Sequence, residues 1–231
     1  MAEGAVISDL HLFARRTDTE RITKTLLALP EDIGTLVLNG DILDFRWSLY
    51  HSETDTIAAG VGWIEELMIE RPGLSLCYIM GNHDCSVAWG EALEGLRSER
   101  FSWSPTHIRL GSNLFLHGDL IGRGKNPFYR ALKDTHKRFA TIAALDHAYD
   151  MLTHMRVHTG ASLLHGPKLS APRIEKALRR HEPDIFEGLE DIYFGHTHTA
   201  YSDHTYKGVR FHNTGAAIRH VPLQALRFKH E

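Results

Sequence analysis

Five short motifs carry the residues able to do chemistry in this chain: Asp9-Leu10-His11, Gly40-Asp41-Ile42-Leu43-Asp44, Gly81-Asn82-His83-Asp84, His117-Gly118-Asp119 and Gly195-His196-Thr197-His198. They offer Asp9, His11, Asp41, Asn82, His117, His196 and His198 as oxygen and imidazole donors, with no thiolate, which is the donor set of a hard or borderline divalent cation. Seven donors exceed the need of one ion and suit two ions that share a carboxylate. Asp41 is the expected bridge, because its strand is expected beside the first in a wound sheet. Two ions about 3.5–4 Å apart hold a hydroxide between them and clamp a phosphoryl oxygen, so the expected chemistry is hydrolysis of a phosphate mono- or diester by a metal-bridging hydroxide. His196 and His198, two apart on an expected extended segment, point to the same side and reach the ions together. His83 lies beside Asn82 but is not needed by the ligand count. With Asp84 expected to orient its imidazole, His83 is the expected general acid for the leaving oxygen. Asp44 and Asp119 are expected to hydrogen-bond ligands or backbone around the ions. One such motif arises easily by chance; five in order do not.

Each motif follows an apolar run that reads as a strand: Ala5-Val6-Ile7, Leu36-Val37-Leu38, Leu76-Cys77-Tyr78-Ile79-Met80, Leu114-Phe115-Leu116 and Ile192-Tyr193-Phe194. A parallel sheet would set all five strand ends on one rim, where ligand sites of α/β proteins form. Helical spacing over Thr19–Leu29, Asp55–Glu70 and Trp89–Glu99 alternates with the first strands, the α/β pattern. Thr106–Leu110 and Asn113–His117, joined by Gly111-Ser112, predict a hairpin. From 124 to 183 the pattern turns helical. Phe128, Leu132, Phe139, Ile142, Leu145, Tyr149, Leu152 and Met155 form an apolar stripe, and a helix restarts over Ala171–Arg180 behind Pro172. This stretch reads as an insertion, a lid, between the fourth and fifth motifs. Strands follow over Gly208–His212 and Gln224–Phe228.

The donors run from Asp9 to His198 of 231 residues, so one domain over 1–231 is expected. No apolar run is long enough to span a bilayer, and with the first strand read so close to Asp9 no leader is expected before it. The expected location is therefore cytoplasmic. Cys77 reads as core and Cys85 as partly exposed, and two cysteines make no disulfide framework. The net charge of −3 is unevenly spread. Arg123 to Glu182 holds twelve Lys/Arg against five Asp/Glu, while the rest holds 14 against 24. A basic surface there suits an anionic substrate or an acidic membrane, the latter placing the chain at the periphery of the inner membrane. Arg123 and Lys125, just after the fourth motif, are the expected contacts to the non-transferred part of a phosphorylated or nucleotide-like substrate. Nucleic acid is disfavoured, because the aromatics of the insertion fit its apolar stripe rather than a stacking surface.

The five motifs in this order resemble those of the calcineurin-like metallophosphoesterases over the whole chain except the insertion. The resemblance implies an α/β fold, a four-layer α/β/β/α sandwich of two mixed sheets. It implies Asp9, His11, Asp41 and His198 on one metal and Asp41, Asn82, His117 and His196 on the other, and His83 matches the family's proton donor. Mn2+ is the first expectation for the two divalent ions, with Fe or Zn2+ as alternatives. Within the family, the length and the helical insertion after His117-Gly118-Asp119 are similar to the UDP-2,3-diacylglucosamine hydrolases, which implies a nucleotide-sugar lipid pyrophosphatase as an alternative. That subfamily usually carries Arg at His83 and Glu at Asp44. A non-catalytic interaction scaffold of the same fold is the alternative from another class, and the filled ligand set weighs against it.

Overall fold

The computed structural model describes residues 2–15, 17–119, 166–217 and 225–231. Its elements are β1 (Ala2–Ile7), α1 (Thr19–Leu27), β2 (Ile33–Asn39), α2 (Glu53–Glu70), β3 (Ser75–Ile79), α3 (Val87–Gly95), β4 (Phe101–Ser104), β5 (His107–Leu110), β6 (Asn113–Leu116), α4 (Pro167–His181), β7 (Asp191–Phe194), β8 (Tyr201–Tyr206), β9 (Val209–Asn213) and β10 (Leu226–His230). The stripe from Phe128 to Met155 lies outside the described residues, as do Arg123 and Lys125.

The strands form the two mixed sheets that the resemblance implies, with the motif-bearing strands parallel within each sheet. The first runs β10-β1-β2-β3-β4, with β1 to β4 parallel and β10 antiparallel at the edge. The second runs β5-β6-β7-β9-β8, with β6, β7 and β9 parallel and β5 and β8 antiparallel at the edges. Strand alternation builds the layers. Ala5, Ile7, Leu36, Leu38, Leu76 and Tyr78 bury one face of the first sheet against α1, α2 and α3. The residues between them, Val6, Val37, Cys77 and Ile79, face the second sheet and meet Phe115 and Tyr193, whose rings stack at 5.0 Å. The far side of the second sheet packs Leu114, Leu116, Ile192, Phe194 and Phe211 on Ala171, Ile174 and Leu178 of α4. The result is the expected four-layer α/β/β/α sandwich.

Capping sets where the helices start. Ser52 accepts the N–H of Asp55, and Ser86 accepts that of Trp89, so α2 and α3 each begin two residues before the periodicity suggests. Pro167, not Pro172, takes the first turn of α4, and Pro172 falls inside the helix. Burial of Ala171, Ile174 and Leu178 offsets the hydrogen bond that Pro172 cannot make. Cys85 is buried, not partly exposed, and the two cysteines form no disulfide with each other. Among the described residues, no helix is long and apolar enough to cross a membrane.

Candidate metal centre

The ligand loops extend the sheets before leaving them. Asp9 N–H donates to Gly40 O at 2.9 Å, His11 N–H to Asp41 O at 2.9 Å and Leu12 N–H to Ile42 O at 2.8 Å, so the first two motifs run on as a ladder past β1 and β2. Gly195 N–H donates to His117 O at 2.9 Å and does the same for β6 and β7. The backbone then curls. Asp9, His11, Asp41, His196 and His198 all sit at positive φ, between 48° and 64°. His196 and His198 therefore do not lie on an extended segment. They converge through a left-handed turn at each residue, a conformation that non-glycine residues hold only where the surroundings enforce it.

Among the described residues, three overlapping clusters of donor atoms result, each within 4.8 Å: Asp9, His11 and His198; His11, Asp41 and His83; Asp41, His117 and His196. His198 Nε2 stands 3.1 Å from Asp9 Oδ1. His117 Nε2 stands 3.1 Å from Asp41 Oδ2 and 3.3 Å from Asn82 Oδ1. Asp41 is in reach of His11 on one side and of His117 and His196 on the other. His11 Nε2 is buried with no hydrogen-bond partner. A buried acceptor or donor left bare beside two carboxylates is a strong reason to expect a cation there, and the all-oxygen and imidazole donor set fits a pair of divalent ions.

The electrostatics agree. Burial would raise the Asp9 and Asp41 carboxyls, yet both are held down, Asp9 chiefly by His198 and Asp41 chiefly by His117. Burial would likewise lower His117, but Asp41 and Asp9 lift it to about 10. His196 is pushed down to about 4, by burial and then by the charge on His117. The carboxylates thus hold negative charge in the interior that the neighbouring imidazoles balance.

Residues 5–200 match the family model described as calcineurin-like phosphoesterase. The chain belongs to this family. Among 34 solved chains with significant similarity is a conserved protein of Streptococcus pneumoniae TIGR4, predicted to be a phosphoesterase (11% identity, TM-score 0.42, covering 99% of this chain and 85% of that one). Another is Vps29 of Entamoeba histolytica complexed with Zn2+ (13%, TM-score 0.39, 94% and 75%). A third is a dimetal phosphatase of Danio rerio (12%, TM-score 0.48, 94% and 88%). Among curated proteins there is no significant match.

Around the donors of this candidate centre, the carboxylates divide their work differently from expectation. Asp84 does not orient His83. Its fully buried carboxylate accepts from Tyr78 Oη at 2.6 Å, Gly81 N–H at 2.5 Å and Ile42 N–H at 2.9 Å, tying the second and third motifs together. Asp44 takes the place expected of Asp84. Its Oδ1 faces His83 Nδ1 at 3.2 Å, an ion-pair separation without hydrogen-bond alignment, and its Oδ2 lies 3.2 Å from His11 Nδ1. Burial would lower His83, but the charges of Asp41 and Asp44 raise it to about 9. Asp119 is half-buried, and its charge acts on His117 and His196.

The glycines of the motifs and the Ser8 hydroxyl have roles that their residue types do not announce. A Cβ on Gly81 would collide with the Asp41 carboxylate, and one on Gly195 with that of Asp9, so both glycines let a strand end lie directly against a ligand. Their place inside each motif was the available signal. Ser8, fully buried at the seam between the sheets, carried none; Thr214, fully buried opposite it, stands in the turn Asn213-Thr214-Gly215, which resembles a loop common after the last motif of the family.

Proposed function

We propose that this chain is a dinuclear-metal phosphoesterase acting on a phosphate mono- or diester. The observation that supports this best is the position of Asp41, shared between the donor cluster with His11 and that with His117 and His196. Asp9, His11, Asp41 and His198 would hold one ion, and Asp41, Asn82, His117 and His196 the other. When bound, such a pair supplies an activated water and neutralises charge on the phosphoryl group. The protein supplies the rest. With Nδ1 turned to Asp44, His83 keeps Nε2 for the leaving oxygen, and in the metal-free chain the charges of Asp41 and Asp44 raise its pKa to about 9. Asp44 fixes the ring, and Asp84 fixes the loops that carry Asp41 and Asn82. Arg123 and Lys125 are proposed to contact the non-transferred part of the substrate. The test is hydrolysis of bis-p-nitrophenyl phosphate and p-nitrophenyl phosphate by the chelated chain before and after addition of Mn2+, Fe2+ or Zn2+. Turnover restored by at least one of these ions is expected; a chain that binds ions yet hydrolyses neither ester would favour the scaffold alternative.

The nucleotide-sugar lipid pyrophosphatase is a second reading. It is favoured by exposed Lys168, Arg173, Lys176 and Arg180 on α4, which suit an anionic substrate. Turnover of UDP-2,3-diacylglucosamine well above that of simple aryl esters would select it.

A further inference from the structure

The Asn213-Thr214-Gly215 turn at the end of β9 carries no metal donor, yet it reaches the Asp9 carboxylate through two hydroxyls. Thr214 Oγ1 accepts the N–H of Ser8 at 3.1 Å and lies 2.6 Å from Ser8 Oγ, which in turn hydrogen-bonds Asp9 Oδ2. Each hydroxyl has one proton to give, and an ionised carboxylate only accepts. The Ser8 proton therefore goes to Asp9, and the proton between the two hydroxyls comes from Thr214. The direction of the chain is fixed: Thr214 to Ser8 to Asp9.

Asp9 Oδ2 receives a second donor, the N–H of His196 at 3.0 Å. That oxygen is then fully used. Oδ1 shares only a second branch of the same N–H, at 3.1 Å, and faces His198 Nε2. The turn is itself braced against the fifth motif. Asn213 Oδ1 accepts Gly215 N–H at 2.9 Å, and its Nδ2 donates to Gly195 O at 2.9 Å and to Thr197 Oγ1 at 3.1 Å. One turn of the second sheet thus sets the orientation of Asp9, from the first sheet, and the backbone that presents His198, from the second. We propose that Thr214 and Ser8 are positioning residues that commit Asp9 to bind through Oδ1 alone, and so select for the ion held by Asp9, His11 and His198. This rests on the dinuclear reading above.

The experiment is Mn2+ titration of the metal-free chain by calorimetry and by electron paramagnetic resonance, which separates an exchange-coupled pair from a lone ion. In Thr214→Val, which keeps the shape and removes the hydroxyl, one of the two ions should bind about 10–100-fold more weakly while the other is unchanged, as when a hydrogen-bond partner of a ligand is lost. The coupled signal should give way to a mononuclear one at Mn2+ levels that saturate the wild type, and Thr214→Ser should restore it. Wild-type affinity for both ions in folded Thr214→Val, or equal weakening of both, overturns the proposal. Should Thr214→Val fail to fold, Ser8→Ala carries the same expectation with Thr214 still satisfying the backbone, and unchanged binding of both ions there overturns it. A wild-type chain that takes up no pair of Mn2+ ions overturns the dinuclear reading, and the relay with it.

Discussion

Asp44→Asn should damage both metal binding and proton donation although it removes no ligand. Asp44 is 3% exposed. Its Oδ1 accepts the N–H groups of Arg46 and Trp47, each at 2.9 Å, and faces His83, while Oδ2 pairs with His11 Nδ1. An asparagine has one acceptor oxygen. If that oxygen serves the two backbone N–H groups, the NH2 faces His11 Nδ1, which must become an acceptor. The imidazole proton then moves to Nε2, the atom left bare for the cation. If the amide turns over instead, two buried N–H groups lose their acceptor at about 1–3 kcal/mol each. The first arrangement is therefore favoured, and ion affinity should fall by about 10–100-fold.

The same change removes the charge that holds His83 up. Bound cations would neutralise Asp41, leaving Asp44 as the remaining support for the raised pKa. A fall from about 9 toward the ordinary 6.5 would reduce protonated His83 at pH 7.5 from nearly all molecules to about one in ten. The assay is kcat and KM at saturating Mn2+ for p-nitrophenyl phosphate and for glycerol phosphate, with ion affinity measured separately. The alkyl ester should lose far more than the aryl ester, and its rate should peak at lower pH. Wild-type ion affinity together with an unchanged alkyl-to-aryl ratio would refute the reasoning.

His83→Ala should slow alkyl phosphates by about 10²–10⁴-fold and nitrophenyl esters much less; an equal loss on both would make His83 a positioning residue. Asp41→Ala should abolish turnover and lower the content of both ions, whereas Asp9→Ala weakens mainly one; two tightly bound ions and a near-normal rate in Asp41→Ala would remove it as the bridge. In the metal-free chain, His83 and His117 have pKa values raised to about 9 and about 10, so their contribution to stability is complete below pH 6.5 and is lost as pH rises through 9 to 10. Thermal melts of the chelated chain should fall across that window. Ion binding near pH 7.5 should release protons, His117 above all, measurable by calorimetry in buffers of different ionisation heat. Binding with no proton release would mean that His117 gives up none on ligation.

The clustering of the donors was legible because each sits a fixed step past an apolar run, and the strand ends did converge. What the linear pattern hid was that two sheets supply them. Leu114-Phe115-Leu116 and Ile192-Tyr193-Phe194 look like Leu36-Val37-Leu38, and nothing local says that they pair elsewhere. The edge strands β4 and β8 were missed for a related reason. Phe101-Ser102-Trp103-Ser104 is very short, and Tyr201–Tyr206 is polar enough to read as loop. Asp84 was assigned to His83 because it is next in sequence, whereas Asp44, 39 residues earlier, is next in space. Sequence adjacency predicts carboxylate partners poorly, since buried carboxylates go where unpaired N–H groups are, and Gly81 and Ile42 supplied them.

The left-handed ligands give one further expectation, opposite in sign to ordinary experience. Asp9 and His11, at φ of 53° and 48°, repeat the curl of His196 and His198, at 64° and 53°, in the other sheet. Two motifs of different sequence share one backbone device that turns residues two apart toward one point. Each such residue costs about 1–2 kcal/mol against a right-handed or extended one, and the cost recurs at several positions around one centre. His198 is the best place to measure it, since its side chain is 31% exposed and little packing is lost on truncation. Glycine normally destabilises a folded chain relative to alanine by freeing the unfolded state. At φ 53° the folded state also relaxes with glycine, and this term is the larger. Chelated His198→Gly should therefore resist urea better than chelated His198→Ala, by about 1 kcal/mol. Both should lose the ion held by Asp9 and His11, so metal binding cannot confound the comparison. If alanine proves equal or better, the curl is not strained, and the hydrogen bonds at the seam are not holding the ligands against a backbone preference.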